Sequence, residues 1–263
     1  MTFCILGGDT RMRMLEKLLA DDGNNVQSFG AGGKEIPKNA DFSGKTVILP
    51  LPAFKSGFLN GNTGYDKESI RAMTESADAV FGGMSDEKWL RDYYKREELV
   101  IKNAHITAEC AVSLVQNELL SPVCGKKILI IGFGRIGKEL SRLLRAMGAD
   151  ISVSARRAEH KAMIEAMGCR ALNTNRLSGS TSDFDVIINT VPERVVFAET
   201  IDETKASCLF IELASEPYGI DGEYAKNVRR YVLASGLPGK MMPLGAAEAI
   251  RDTIYNMLEE SNG

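Results

Sequence analysis

A glycine-rich turn follows an apolar segment in the middle of the chain. The segment Lys127–Ile131 leads into G-x-G-x-x-G spacing, and leucines then recur at helical spacing. In such a motif the glycines permit a tight turn, close approach of the backbone to a pyrophosphate, and close packing of helix on strand. The pattern predicts a dinucleotide site, and the alternative is a glycine-rich turn without a ligand. The predicted cofactor contacts are Gly132, Phe133, Gly134, Arg135, Ile136 and Gly137.

The next strand favours NADP over NAD. Proteins that bind NAD usually end this strand in Asp or Glu, which accepts hydrogen bonds from the ribose hydroxyls. Ala155 stands at that position, and Arg156 and Arg157 follow it. A guanidinium suits a 2′-phosphate, so we expect NADP at Ser154–Arg157. The alternative is that the two arginines are a solvated surface pair.

Three further loops follow predicted strands and should meet at one edge of the sheet. They are Asn189–Pro192, Glu212–Ser215 and Gly236–Gly239. Since ligands bind outside the carboxyl ends of parallel strands, these loops predict a crevice. The expected cofactor contacts are Asn189, Thr190, Val191, Pro192, Leu213 and Ala214, and the expected substrate contacts are Ser215, Gly236, Leu237 and Pro238.

The N-terminal half offers a second group of candidates. Gly7-Gly8-Asp9-Thr10-Arg11 follows the predicted strand Phe3–Leu6, so Asp9 could cap the next helix and hold Arg11, whose guanidinium could bind a carboxylate. The alternative is a plain cap beside a surface cation. In the irregular loop Pro50–Asp66, Thr63 and Gly64 could supply further donors.

A predicted helix between the two halves carries one more candidate. We expect it to begin at Thr107, which is also an expected substrate contact, and to end near Leu120. Glu109 would lie in its first turn, where a carboxylate is favoured by the helix dipole, and it could accept a proton or orient the substrate. Its role could equally be electrostatic only. His105 is interpreted as structural.

Strands and helices alternate along the chain, which predicts an α/β fold with two doubly wound parallel-sheet domains, the second a Rossmann domain. The first, flavodoxin-like domain should include residues 1–104 and a returning helix in 243–263. A linking helix (105–120) and the Rossmann domain (121–240) lie between them. Within the first domain we predict helices over 67–76 and 86–96 and strands over 79–81 and 99–102.

Composition excludes several classes of protein. Of 263 residues, 44% are apolar and 25% charged, and 32 basic against 35 acidic side chains leave a net charge of -3. These values are typical of a globular protein without a nucleic-acid footprint. No 18-residue apolar run occurs, so we expect a cytoplasmic protein without a membrane contact. Five scattered cysteines predict reduced core thiols, and two histidines make a metal centre improbable.

Several motifs together resemble the dipicolinate synthase A-subunit family. They are Gly7-Gly8-Asp9-x-Arg11, Thr107-x-Glu109, the second Rossmann strand ending in Ala155-Arg156, Asn189-Thr190-x-Pro192, Leu213-Ala214-Ser215 and Gly236-Leu237-Pro238-Gly239. The resemblance spans nearly the whole chain. The opening and closing motifs are the more particular ones, because the Rossmann glycines occur in many dehydrogenases.

The resemblance implies oxidation of dihydrodipicolinate to pyridine-2,6-dicarboxylate with NADP during sporulation. It implies a mother-cell cytoplasmic enzyme that acts on a small dicarboxylate, is a homo-oligomer and works with a flavoprotein-like B subunit. Asp9, Arg11 and Glu109 are the catalytic candidates on this interpretation. The alternatives are another NADP-dependent dehydrogenase of a small oxo or imino acid, and a catalytically silent NADP-binding subunit.

Overall fold

The chain forms two compact α/β units. The structure is a computed structural model, and it describes residues 1–30, 35–37, 40–62 and 64–262. The first unit contains Met1–Asn103 and Pro238–Gly263, and the second contains Ala104–Leu237.

The first unit is built on a parallel sheet. Its strands are β1 (Thr2–Leu6), β2 (Asn25–Phe29), β3 (Thr46–Ile48), β4 (Phe54–Lys55), β5 (Phe58–Leu59), β6 (Ala79–Gly82) and β7 (Arg91–Asp92). Five of them pair in parallel in the order β2-β1-β3-β6-β7, the order of flavodoxin-like sheets. The remaining two, β4 and β5, form a short antiparallel hairpin in the loop after β3. The loop predicted to be irregular therefore contains one small ordered element.

Three helices belong to the N-terminal part of the chain: α1 (Thr10–Asp21), α2 (Lys67–Met73) and α3 (Glu97–Leu119). The first two begin at aspartate caps, because Asp9 accepts a hydrogen bond from the Arg11 N–H and Asp66 accepts one from the Ser69 N–H. A 3-10 helix, Tyr93–Lys95, precedes α3.

The structure corrects the prediction for residues 86–107. No α-helix covers 86–96, which contain β7 and the 3-10 helix, and 99–102 are helical and not a strand. The predicted strand was a short apolar run, whose periodicity does not distinguish a strand from a buried turn of helix. The apolar positions continue at helical spacing into the rest of α3, at Leu99, Ala104, Ala108, Ala111 and Val115, all buried. The helix expected to begin at Thr107 therefore begins at Glu97.

The second unit has the strand order of a dinucleotide-binding domain. Its strands are β8 (Lys127–Ile131), β9 (Asp150–Ala155), β10 (Arg170–Asn173), β11 (Val186–Asn189), β12 (Leu209–Glu212) and β13 (Arg230–Leu233). All neighbours are parallel, in the order β10-β9-β8-β11-β12-β13. Counted along the unit this is 3-2-1-4-5-6, the Rossmann order, so the predicted fold class is confirmed.

Four helices connect these strands: α4 (Arg135–Ala146), α5 (Ala158–Ala166), α6 (Ala198–Asp202) and α7 (Gly222–Val228). Gly148 and Gly168 follow α4 and α5 with φ of +84° and +73°, the left-handed conformation expected after a helix end. Glycine adopts this conformation without the strain that a Cβ would cause.

The chain ends in a short helix, α8 (Leu237–Met241), and a long one, α9 (Pro243–Asn262). The long helix packs on α1. Its Tyr255 donates a hydrogen bond to Asp22 Oδ2 over 2.8 Å and accepts one from Asn24 Nδ2 over 2.9 Å.

None of the helices in the described ranges is long and apolar enough to cross a membrane. All five cysteines are free, but Cys124 is exposed and not a core thiol.

Candidate functional site

The turn between β8 and α4 has the geometry of a phosphate cradle. Gly132 has φ of +100°, and a Cβ there would lie 2.5 Å from Thr190 Oγ1. A Cβ on Gly137 would overlap the carbonyl oxygen of Gly132. Gly134 is the N-cap of α4 without a side-chain cap, and nothing lies within 4 Å of the position of its Cβ. The N-terminal N–H groups of α4 thus face open space that suits an anion, and the residues fit a dinucleotide pyrophosphate.

The end of β9 carries basic side chains and no carboxylate. Ala155 is buried, and the next residue, Arg156, pairs with Glu193 over 2.9 Å between Nη1 and Oε2. Arg157 Nε lies 3.2 Å from Glu159 Oε1. Ser154 is fully buried, and its Oγ accepts a hydrogen bond from a threonine hydroxyl of the loop after β10.

Phe133, the first residue after Gly132 in the turn, contacts one side chain from each of two adjacent helices. The Phe133 ring meets the His160 ring edge-on, with 5.7 Å between centroids. Lys138 Nζ lies 5.2 Å from the centre of the same ring. The Arg157 guanidinium also contacts the His160 imidazole, so basic groups cluster on this side of the turn. Arg135 and Ile136 form the first turn of α4.

The loops after β11 and β12 are joined by a buried polar pair. Asn189 Nδ2 donates to Glu212 Oε1 over 2.7 Å, and both side chains are fully buried. Thr190 Oγ1 donates to the Ile131 carbonyl over 2.8 Å, which links this edge to β8. Sequence reasoning placed Glu212 in one of the segments that line the crevice but gave it no role, although a lone carboxylate ending an otherwise apolar strand is a readable signal. Other candidates on these loops are Val191, Pro192, Leu213, Ala214 and Ser215, of which Leu213 and Ala214 are buried and Ser215 is exposed.

The pKa of Glu212 reflects this surrounding. Burial raises the pKa of the carboxyl above its ordinary value, and hydrogen bonds from Ile220, Asn189, Gly219 and Ala214 act in the opposite direction.

In the first unit, Asp9 and Arg11 form a fixed pair at the carboxyl end of β1. Arg11 Nη2 donates to Asp9 Oδ2 over 2.7 Å and to the Leu51 carbonyl over 2.5 Å, and Nε also contacts the carboxylate. The arginine side chain is only 14% exposed. It is therefore not a plain surface cation. A Cβ on Gly239 would lie 2.8 Å from Arg11 Nε, so this glycine of the closing motif packs against Arg11 within the first unit.

The remaining substrate candidates are more scattered. Thr63 lies outside the described residues, and the Gly64 N–H donates to Asn62 Oδ1 over 3.1 Å. Gly236 is exposed with φ of +67°. Leu237 and Pro238, expected in a loop, are instead buried residues at the start of α8.

Thr107 and Glu109 lie in the middle of α3, so neither the cap nor the first-turn carboxylate predicted there exists. Thr107 is buried. Glu109 Oε1 lies 3.2 Å from His105 Nε2, and the other ring nitrogen, Nδ1, lies 3.1 Å from Glu139 Oε2 on α4. His105 thus joins two carboxylates, one on each helix.

Comparison with known proteins agrees with this geometry. Residues 103–215 match the profile of the D-isomer specific 2-hydroxyacid dehydrogenase, NAD binding domain. The glycine cradle, the Rossmann strand order and this match define the chain as an oxidoreductase that uses a nicotinamide dinucleotide.

Its relatives narrow the class further. The chain is 30% identical over 232 residues to the A subunit of Bacillus subtilis dipicolinate synthase, and the match covers 82% of this chain and 78% of that protein. The crystal structure of the dipicolinate synthase A subunit from Bacillus halodurans matches at 26% identity with a TM-score of 0.84, covering 98% of this chain and 97% of the other. The Bacillus subtilis A-chain structure matches in fold at 24% identity and a TM-score of 0.82, covering 99% and 96%. The chain belongs to the dipicolinate synthase A-subunit family.

Proposed function

We propose that this chain oxidises dihydrodipicolinate to pyridine-2,6-dicarboxylate with NADP, as the A subunit of a dipicolinate synthase. The relationship with the Bacillus subtilis protein over most of both chains supports the assignment. The observation that carries it is the Arg11 guanidinium, held at the carboxyl end of β1 by Asp9 and the Leu51 carbonyl. A dicarboxylate needs a fixed cation of this kind.

Arg11 would bind a substrate carboxylate through Nη1 of its guanidinium group. Nε and Nη2 donate to protein oxygens, whereas Nη1 has no hydrogen-bond partner among the residues that the structure describes. Asp9 would fix the orientation of the guanidinium and lower the entropy lost on binding. Glu109 would accept a proton. The other proposed substrate contacts are Gly64 and Pro238 in the first unit and Thr107, Ser215, Gly236 and Leu237 in the second.

The cofactor would be held by residues of the second unit. Gly132, Gly134 and Gly137 would admit the pyrophosphate to the N-terminus of α4, with Phe133, Arg135 and Ile136 around it. The loops Asn189–Pro192 and Leu213–Ala214 would line the nicotinamide half. The cofactor would supply the acceptor for one hydride from the substrate ring, and with the loss of one ring proton the ring would become aromatic.

A preference for NADP would come from the end of β9. With Ala155 in place of a carboxylate, the last residue of the strand does not repel a 2′-phosphate. Ser154 and Arg157 would complete the surroundings of the phosphate. Arg156 would leave its ion pair with Glu193 and bind the phosphate instead. Breaking that pair costs little free energy, because both side chains are largely exposed to solvent.

The test combines turnover and binding. Dihydrodipicolinate is generated in situ from its precursor, and NADPH formation is followed by absorbance. Arg11→Ala should lower kcat/KM by about ten- to a hundred-fold, since a charge-assisted hydrogen bond contributes roughly 1.5–3 kcal/mol, and should leave NADPH affinity unchanged. Arg13→Ala is the matched control, because Arg13 lies on the same helix and its guanidinium donates a hydrogen bond to Thr10 on that helix. Unchanged turnover of Arg11→Ala would exclude the proposed substrate site.

A second candidate function is an NADP-dependent dehydrogenase that interconverts another small oxo or imino acid with the corresponding hydroxy or amino acid. The match of residues 103–215 to a 2-hydroxyacid dehydrogenase domain favours it. The same assay distinguishes the two, because this alternative predicts no NADPH from dihydrodipicolinate but turnover of a hydroxy or amino acid. A protein that binds NADPH and turns over no substrate would be a silent subunit.

Assembly and cellular context form part of the proposal. The relatives are named as one subunit of a synthase, which supports a partner subunit. We propose that this partner is a flavoprotein-like B subunit. We propose a homo-oligomer that acts in the mother-cell cytoplasm of a sporulating bacterium. Co-expression with the B subunit, followed by size-exclusion chromatography with light scattering, tests both associations.

A further inference from the structure

Glu212 is a buried carboxylate that none of the roles above uses. It is the last residue of β12 and is fully buried. Its Oε1 accepts hydrogen bonds from Asn189 Nδ2 over 2.7 Å and from the Ala214 N–H over 3.0 Å. Its Oε2 accepts from the Gly219 and Ile220 N–H groups, each over 2.9 Å. Four donors from two loops therefore converge on one side chain.

These bonds tie the loop after β12 to the loop after β11. The Asn189 amide donates to the Val191 carbonyl over 2.9 Å and accepts from the Val191 N–H over 3.1 Å. The Gly219 carbonyl accepts from the Val195 and Val196 N–H groups over 2.9 and 3.0 Å. A Cβ on Gly219 would overlap the Asn189 amide nitrogen. The loops 190–196 and 213–220 thus pack as one body around Glu212.

Only an ionised carboxylate satisfies this arrangement. Each carboxylate oxygen faces at least one backbone N–H, from Ala214 on one side and from Gly219 and Ile220 on the other. An amide at Glu212 would turn its NH2 toward one of these N–H groups in either orientation, and the backbone cannot exchange donor for acceptor. Burying a charge costs free energy, which an apolar residue at this strand end would avoid. Four hydrogen bonds to the carboxylate offset this cost and hold the two loops in place.

We propose that Glu212 is a positioning residue for the nicotinamide dinucleotide. The loops it joins follow the fourth and fifth strands of the Rossmann order, where the crevice outside the carboxyl ends of the strands takes its ligand. Holding them in place before the cofactor arrives reduces the entropy lost on binding. This inference rests on the proposed cofactor site and adds to it a residue that does not itself contact the ligand.

Two variants test the proposal by different routes. Glu212→Gln keeps the shape and removes one acceptor, whereas Gly219→Ala leaves Glu212 intact and pushes the two loops apart. Each should weaken NADPH binding by about tenfold or more, measured by fluorescence titration at a temperature where the variant is folded. The control is Thr181→Val, which removes a fully buried hydroxyl bonded to the Thr200 carbonyl, before β11 at the opposite end of that strand. It should lose stability without losing NADPH affinity.

A second readout needs no cofactor. In the free wild-type protein the Gly219 and Ile220 amides should be protected from hydrogen exchange, and in Glu212→Gln they should exchange at least tenfold faster while the strand amides of β8 stay protected. If Glu212→Gln does not fold, Gly219→Ala decides the question. Wild-type affinity in either folded variant, or an equal loss in Thr181→Val, would overturn the proposal. A wild-type protein that binds neither NADPH nor NADH would instead refute the proposed function.

Discussion

Replacement of Arg156 by alanine tests whether the end of β9 recognises a 2′-phosphate. A guanidinium bonded to a phosphate contributes roughly 1.5–3 kcal/mol. From this the existing ion pair with Glu193 must be subtracted, at about 0–1 kcal/mol, because the two side chains are 59% and 63% exposed. The net contribution of about 0.5–3 kcal/mol corresponds to roughly 2- to 150-fold weaker binding of NADPH by Arg156→Ala.

The assay is a fluorescence titration of the wild type and the variant with NADPH and with NADH. NADH affinity should not change, because NADH has no 2′-phosphate. Raising the salt concentration should weaken NADPH binding in the wild type more than in the variant, since the contact is charged and exposed. The matched control is Arg142→Ala, which breaks an ion pair of 2.9 Å with Glu139 at an arginine exposed to 55%.

Two results would refute this reasoning. One is an NADPH affinity of Arg156→Ala equal to that of the wild type. The other is an equal loss of affinity for both nucleotides, which would indicate a general disturbance of the site. Equal affinities of the wild-type protein for NADPH and NADH would exclude the NADP preference as a whole.

Three further predictions concern the neighbouring side chains and stability. Glu193→Gln should bind NADPH about 2- to 5-fold more tightly, because Arg156 loses a competing partner; weaker NADH binding in the same titration would show that Glu193 serves the ribose instead. Gly137→Ala places a Cβ on the Gly132 carbonyl and should cost roughly 1–3 kcal/mol of stability together with nucleotide binding, measured by thermal unfolding and titration. Burial alone would raise the pKa of Asp185, but hydrogen bonds from a lysine and a backbone N–H outweigh it and hold the pKa below its ordinary value. The carboxylate therefore stabilises the fold above its unfolded pKa of about 4, and this contribution is lost as the pH falls through the lower folded value. Urea unfolding between about pH 5 and 2 should show a smaller acid loss in Asp185→Asn, and an unchanged slope would contradict the assignment.

The sequence by itself determined the features that depend on residues close together in the chain. The G-x-G-x-x-G spacing predicted the turn at Gly132, because each glycine is needed for a backbone conformation or close contact within a few residues of it. The aspartate cap at Asp9 and the stops at Gly148 and Gly168 were predictable for the same reason. The alternation of apolar segments with helical periods was sufficient for the fold class.

Tertiary structure decided what depends on partners distant in the chain. The apolar run Leu99–Ile101 fits a strand or a helix by period, and packing along one face of α3 made it helical. The chain order also gave no sign that Glu193 would pair with Arg156, 37 residues earlier. Glu212 reads as an interruption of an apolar strand until the loops of two neighbouring strands bring four donors to it. A buried charge is stable only where hydrogen-bond partners surround it, and these partners come together only in the folded protein.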